Sequence, residues 1–318
     1  MNKFIILIFF LFLNTNLFAE EIGDIIFLKS ESYDENTTRI PFKLVDHLIV
    51  VDAELMGQNG NFIIDTGSET LILNKVHFNN NPRDKQKRGV TYGVTKQIDT
   101  PIERHLSKFT LQDFTLRHKN SDIIDLSHIE KSKKIKLLGV IGFNILKDYE
   151  VFIDLYLNQI TLSKIDKKGN KLSNKVYLEK IVDSLDFQLN KHTIVVNTQI
   201  NNKNLKFGLD TAAELNQIRK DVGKDILEHF YPFKKISLTG ASGNTIQVEA
   251  GKLHRVKLSE KTYFGPMFTV LTNLKHIQQA FGMNLDGVLG YEFFRQKRTI
   301  INYRKQKLYF ISYPIHRQ

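Results

Sequence analysis

The 318-residue chain contains neither cysteine nor tryptophan. Without thiols there is no disulfide framework, no cysteine nucleophile, no lipid-bearing cysteine and no cysteine-ligated zinc or iron–sulfur site. A metal would have to be held by histidine and carboxylate alone. The lack of tryptophan also weakens any reading as a sugar-binding cleft. Acidic residues number 34 against 45 lysines and arginines, a formal charge of +11. The basic residues are scattered, however, with no arginine-rich arm, zinc finger or RNP-type aromatic motif, so nucleic acid is not an expected partner. Long apolar runs are missing as well, apart from Phe4 to Leu13. Those ten residues are about half of the roughly 20 that span a bilayer. Lys3 before them and Ala19 after them make residues 1–19 read as a secretory signal cleaved after Ala19. The expectation is an exported protein, periplasmic or secreted, without stable membrane insertion. With 42% hydrophobic and 25% charged residues, the remainder can bury a sizeable core.

What the chain does contain is a copy of itself. Residues 47–75 align without a gap on 192–220, with ten of 29 positions identical, among them His47/His192, Phe62/Phe207, Asp65/Asp210, Thr66/Thr211 and Glu69/Glu214. Residues 139–162 likewise align on 287–310. The offset grows only from 145 to 148, so one duplicated unit accounts for most of the chain. The boundaries read as a leader or edge strand over 20–37, a first lobe over 38–164, a lysine-rich linker over 165–176 and a second lobe over 177–318. Within each unit, β-branched segments (Leu48 to Leu55, Ile194 to Ile200), turn-forming stretches (MGQNGN, and Asn201 to Asn204) and short apolar runs (Phe62 to Ile64, Phe207 to Leu209) predict strands. Leu106 to Leu111 and Leu253 to Leu258 alternate like half-buried strands. Helical signals are few and short: Asn144 to Lys147, Asp221 to His229, Lys275 to Phe281 and Glu292 to Gln296. The fold class is therefore all-β, in two homologous lobes.

In both copies an apolar strand delivers Asp-Thr into a turn of small residues, Asp65-Thr66-Gly67-Ser68 and Asp210-Thr211-Ala212-Ala213. A carboxylate in such a place has lost solvent on several sides, and two facing lobes would bring two of them together. Such a pair shares a proton: one member serves as base, the other as acid, and a water held between them can attack an amide carbonyl. That chemistry needs no metal, cofactor or covalent intermediate.

Asp-Thr-Gly-Ser after an apolar strand, Tyr92-Gly93 downstream and Val140-Ile141-Gly142 further on resemble the pepsin-like and retropepsin-like aspartic proteases. The second copy keeps the order with Asp210-Thr211, Thr239-Gly240 and Val288-Leu289-Gly290. The resemblance covers nearly the whole chain beyond the leader. It implies two β-barrel-like lobes around a cleft, a polypeptide substrate and a single chain sufficient for activity. Asp65 and Asp210 would be the catalytic dyad, Thr66 and Thr211 would lock the loops together across the lobes, and the Ser68 hydroxyl would touch the catalytic carboxylate. Tyr92 and Gly93 would lie on a hairpin flap over the cleft. Two departures stand out, Ala212 where the family has Gly and Ala213 where pepsin-like members have a hydroxyl. A methyl at Ala212 costs energy wherever the position packs tightly or needs φ > 0, and displacing Asp210 by about 1 Å costs on the order of a hundredfold in rate. The losing donor at Ala213 points to a mildly rather than strongly acidic optimum. The alternative is a catalytically weak homologue that binds peptides in the same cleft. Gly142 and Gly290 read as structural, His47 and His192 as packed residues outside any metal-type spacing, and Glu69 and Glu214 as either a salt link or a substrate contact.

Overall fold

A computed structural model describes residues 29–313 except 79–80, 83, 87–89, 93–96, 100–101, 112–113, 174–179, 240–244, 276 and 279–281. The proposed signal segment, Gly93 and Gly240 thus lie outside the described residues. Strands dominate, and the helices Ser127–Lys133, Phe143–Leu146, Lys224–Leu227 and Tyr291–Gln296 are all short. The first of these carries no sequence signal, since Leu126 at its N-cap offers no side-chain hydrogen bond. None of the described helices is long and apolar enough to cross a membrane.

Each lobe starts from a hairpin. Leu48–Leu55 pairs with Gln58–Ile64 through the two-residue turn Met56-Gly57, both left-handed at φ 54° and 75°. In the second copy Thr193–Ile200 pairs with Lys203–Leu209 through Asn201-Asn202, at φ 49° and 59°. Two consecutive positive φ values give the turn whose twist matches the strands. The MGQNGN stretch thus turns only at its first two residues, and Gln58 to Asn61 is already strand.

From this hairpin the first lobe continues through Leu137–Ile141, Leu71–Asn74, Phe114–Ile124 and Ile102–Leu111, and a Thr110–Glu54 pairing closes six strands into a barrel. The second lobe repeats the order with Gly287–Leu289, Asn216–Arg219, Met267–Thr272 and Thr245–Leu253. Its closure differs. The strand foreseen over Leu253 to Leu258 breaks at His254 and Arg255, the latter at φ 54°, and a separate piece, Val256–Lys257, pairs Lys257 with Gln199.

A seven-stranded sheet joins the lobes, with Tyr149–Asp154 of the first unit antiparallel to Arg298–Asn302 of the second. Phe152 pairs with Ile300, its own repeat partner, so the internal twofold axis passes through this pair. Glu31–Asp34 is the edge strand of this sheet, on Thr37–Pro41. The described part of the linker is docked. Asp166 accepts the Lys168 and Asn170 amides, and the Asn302 amide donates to the Gly169 carbonyl at 2.9 Å. One apolar core runs through both barrels, with Phe62, Phe109, Phe207, Phe264, Phe293 and Phe310 fully buried. Each such ring contributes about 1.5–3 kcal/mol of burial free energy.

Candidate active site

The two Asp-Thr loops leave the ends of equivalent strands and are fixed by equivalent backbone bonds. The Asp65 amide donates to the Ile141 carbonyl and the Asp210 amide to the Leu289 carbonyl, both at 3.0 Å. The glycines that follow let the chain press on these loops: a Cβ on Gly142 would stand 2.4 Å from the Thr70 carbonyl oxygen, and one on Gly290 only 2.1 Å from that of Ala213. The Phe143 and Tyr291 amides then donate to the Ser68 and Ala213 carbonyls at 2.8 and 3.0 Å.

Between the lobes the threonines make a closed, reciprocal lock. The Thr66 amide donates to Thr211 Oγ1 and the Thr211 amide to Thr66 Oγ1, each at 3.0 Å. Each hydroxyl in turn donates to the opposite strand, Thr66 to the Leu209 carbonyl at 3.3 Å and Thr211 to that of Ile64 at 2.8 Å. Both side chains are buried, so every one of these bonds is shielded from competing water.

The lock presses the carboxylates together. A Cβ on Gly67 would meet the Asp210 carboxyl carbon at 2.7 Å, so lobe one's glycine faces lobe two's carboxylate. Gly67 and Ser68 amides donate to Asp65 Oδ1 at 2.7 and 3.0 Å, and the Ala212 amide donates to Asp210 Oδ1 at 2.8 Å. The carboxyls lie close enough for one to donate a proton to the other. Burial pushes both up from the usual carboxylate range. Asp65 is raised well above it, reinforced by the Asp210 charge and by donation to Asp210, while the Ala212 amide, the shared proton and His192 oppose the rise at Asp210. Two like charges in such proximity do not both ionise at mild pH, and the pair titrates as a unit.

Asp65, Thr66, Gly67, Thr211, Ala212 and Asp210 thus meet at one point. The Ser68 hydroxyl departs from expectation: it donates to the Thr70 carbonyl at 3.2 Å, and it is the Ser68 amide that reaches Asp65. A short loop with its own carbonyl within reach satisfies the hydroxyl locally. Ala212 is not left-handed, and its half-buried methyl packs on the apolar cluster of lobe one that contains Leu48, Val50 and Ile63. Ala213 packs with Val195, Leu285 and Val288. Tyr92 ends the strand Val90–Tyr92, paired with Gln97–Asp99 in a two-stranded ribbon, and Thr239 ends Phe230–Thr239, paired with Thr245. Among the described residues no group of three or more histidine and carboxylate side chains is arranged to hold a metal.

Two features of the site lie beyond the motifs. The repeated His and Glu pair across the lobes, His47 with the Glu214 carbonyl and His192 with the Glu69 carboxylate. Their identity in both copies is the signal that marks them. Tyr303, buried beneath the site against Phe143 and Phe187, is pushed up by burial and by the Asp65 charge. Nothing in the sequence sets it apart.

No family model matches this chain, and no curated protein matches its sequence. The crystal structure of basic 7S globulin from soybean is similar in fold, with a TM-score of 0.52 at 9% identity over 88% of this chain and 96% of that chain. The chain therefore has the two-lobed all-β fold of the aspartic-protease type.

Proposed function

We propose that the protein is an exported aspartic endopeptidase, in which Asp65 and Asp210 activate a water for attack on a peptide bond. The observation that carries this reading is the convergence of two repeat-related carboxyls, locked by reciprocal threonine bonds and close enough to share a proton. The ionised member takes a proton from the water as it attacks the carbonyl carbon. The protonated member donates to the carbonyl oxygen to give a gem-diol. On its collapse the carboxyl that took the water's proton gives it to the leaving nitrogen, while the other recovers a proton from the gem-diol. The Gly67, Ser68 and Ala212 amides hold the acceptor oxygens in place, so little reorganisation accompanies the charge movement. An extended polypeptide is the substrate, covered by the ribbon of Val90–Tyr92 and Gln97–Asp99, with the strand that ends at Thr239 on the opposite lobe. Both carboxyls come from one chain, so a monomer suffices, and no metal or cofactor takes part. The apolar, Lys3-led amino terminus supports export.

The competing reading, a peptide-binding cleft with little turnover, is favoured by Ala212 alone. The test is hydrolysis of an unstructured protein from about pH 3 to 8, with a statine-type inhibitor, for wild type, Asp65→Asn and Asp210→Asn. Inhibitor-sensitive cleavage that falls by about 10²- to 10⁴-fold in either variant is the expected outcome. A wild type that binds the inhibitor but cleaves nothing overturns the peptidase reading and leaves the binding cleft.

A further inference from the structure

His192 is a buried titratable group at the dyad that the water-activation mechanism leaves unused. It occupies the turn before Thr193–Ile200, whose pairing of Ile194 with Leu209, continued outward, sets His192 alongside the Asp210-Thr211 loop. The ring crosses to the other lobe: Nδ1 lies 3.9 Å from Glu69 Oε2, in a side chain only 13% exposed. That nitrogen is buried and has no hydrogen-bond partner. The charged groups that face the ring are Glu69, Lys191 and Asp210, together with the Gly67 carbonyl.

Its repeat partner is placed otherwise. In lobe one both turn residues are left-handed, Asp46 at φ 46° and His47 at φ 71°. The His47 ring stacks on Tyr291 at 4.2 Å, its Nδ1 meets the Glu214 carbonyl at 3.2 Å, and the Glu214 carboxylate is engaged by Lys133 at 2.6 Å. In lobe two only Lys191 of the turn is left-handed, at φ 54°. One of the two equivalent histidines therefore faces a carboxylate that no lysine neutralises among the described ion pairs, next to a catalytic loop.

We propose that His192 is a positioning residue of the dyad: as the imidazolium, paired with Glu69 across the lobes, it holds the negative charge of the pair on Asp210 and keeps the singly ionised dyad populated to lower pH. The proposal rests on Asp65 and Asp210 acting as a pair. An unpartnered buried nitrogen is costly while neutral, and burial pushes the imidazole down while Glu69 and Asp210 pull it up. Once protonated, the ring gains Glu69, and its charge favours the ionised form of Asp210. Removing it raises the pH at which the second carboxyl takes up a proton.

Imidazole NMR titration of the full chain tests this without relying on turnover. In Asp210→Asn and in Glu69→Gln, His192 should titrate at a pH lower by about half a unit or more than in wild type. In peptide hydrolysis, His192→Gln should move the acid limb of kcat/KM upward and leave the alkaline limb in place. A His192 titration indifferent to Asp210→Asn overturns the proposal, as does a uniform loss of activity with unshifted limbs. A wild type that cleaves nothing while His192 still responds to Asp210→Asn sinks the peptidase reading and upholds the coupling.

Discussion

The two lobes follow the same path and fill it differently. In lobe one, the Thr70 hydroxyl after the Asp-Thr loop donates at 3.0 Å to Asp122, a buried carboxylate. In lobe two the equivalent positions are Leu215 and Val270, joined in an apolar cluster with Val248 and Ala250. Lobe one places Gly67 and Ser68 after its aspartate, lobe two Ala212 and Ala213. The threonine lock across the axis stays symmetric, and so do the backbone bonds that pin each aspartate within its own lobe. In the lock each threonine both donates to and accepts from the other, so neither side can change without cost to both, whereas packing inside a lobe drifts as long as its volume is filled.

The shared sheet shows the same divergence and gives the largest predicted effect. Asp154 and Arg298 are fully buried and bonded at 2.6 Å, and Asp154 also accepts the Tyr156 and Leu157 amides. The repeat turns this pair into Glu150 and Asn302, joined by a 2.9 Å bond. Arg298→Met leaves a buried carboxylate unpaired and should cost about 3–5 kcal/mol. Glu150→Gln keeps an acceptor for Asn302 and should cost about 1 kcal/mol. Denaturant unfolding of both variants checks the ratio, and equal losses would mean that the two sides of the axis bear equal load.

The next effect separates the two Asp-Thr loops. Gly67→Ala drives a methyl into the Asp210 carboxyl, whereas Ala212→Gly removes one from an apolar surface at a φ that any residue adopts. Cleavage by Gly67→Ala should fall on the order of a hundredfold, as for a catalytic group displaced by about 1 Å. Ala212→Gly should leave the rate within a few-fold and cost about 1 kcal/mol of stability. A large gain in kcat for Ala212→Gly would show instead that the second loop is the impaired one.

The duplication made the fold legible, because one strand pattern read twice fixes the hairpin, the loop and the return strand in each copy. The dyad and the threonine lock were legible for the same reason. Side-chain aim was not. Ser68 satisfies itself on Thr70, a choice between two acceptors that no pattern encodes. The break at Arg255 depends on how the second barrel closes onto Gln199, and Tyr303 reaches the site through packing with Phe143 and Phe187. His47 and His192 are identical letters with opposite fates because the turns that carry them differ by one left-handed residue.

The smallest effect bears on which lobe holds the proton. Both dyad carboxyls are raised by burial, so the folded protein retains a proton that the unfolded chain releases near the ordinary carboxylate value. An acid raised on folding favours the fold at low pH, and that contribution is lost as pH climbs from about 3.9 toward the raised value. Asparagine carries no such burden. Asp65→Asn and Asp210→Asn should therefore match wild-type stability near pH 3 and exceed it at pH 7, by on the order of 1 kcal/mol. Thermal unfolding at the two pH values measures this, independently of catalysis. Equal gains at pH 7 assign the proton to the pair, since removing either carboxyl relieves the other; a gain confined to Asp65→Asn assigns it to lobe one, where the rise is greater and the imidazole of His192 does not oppose it.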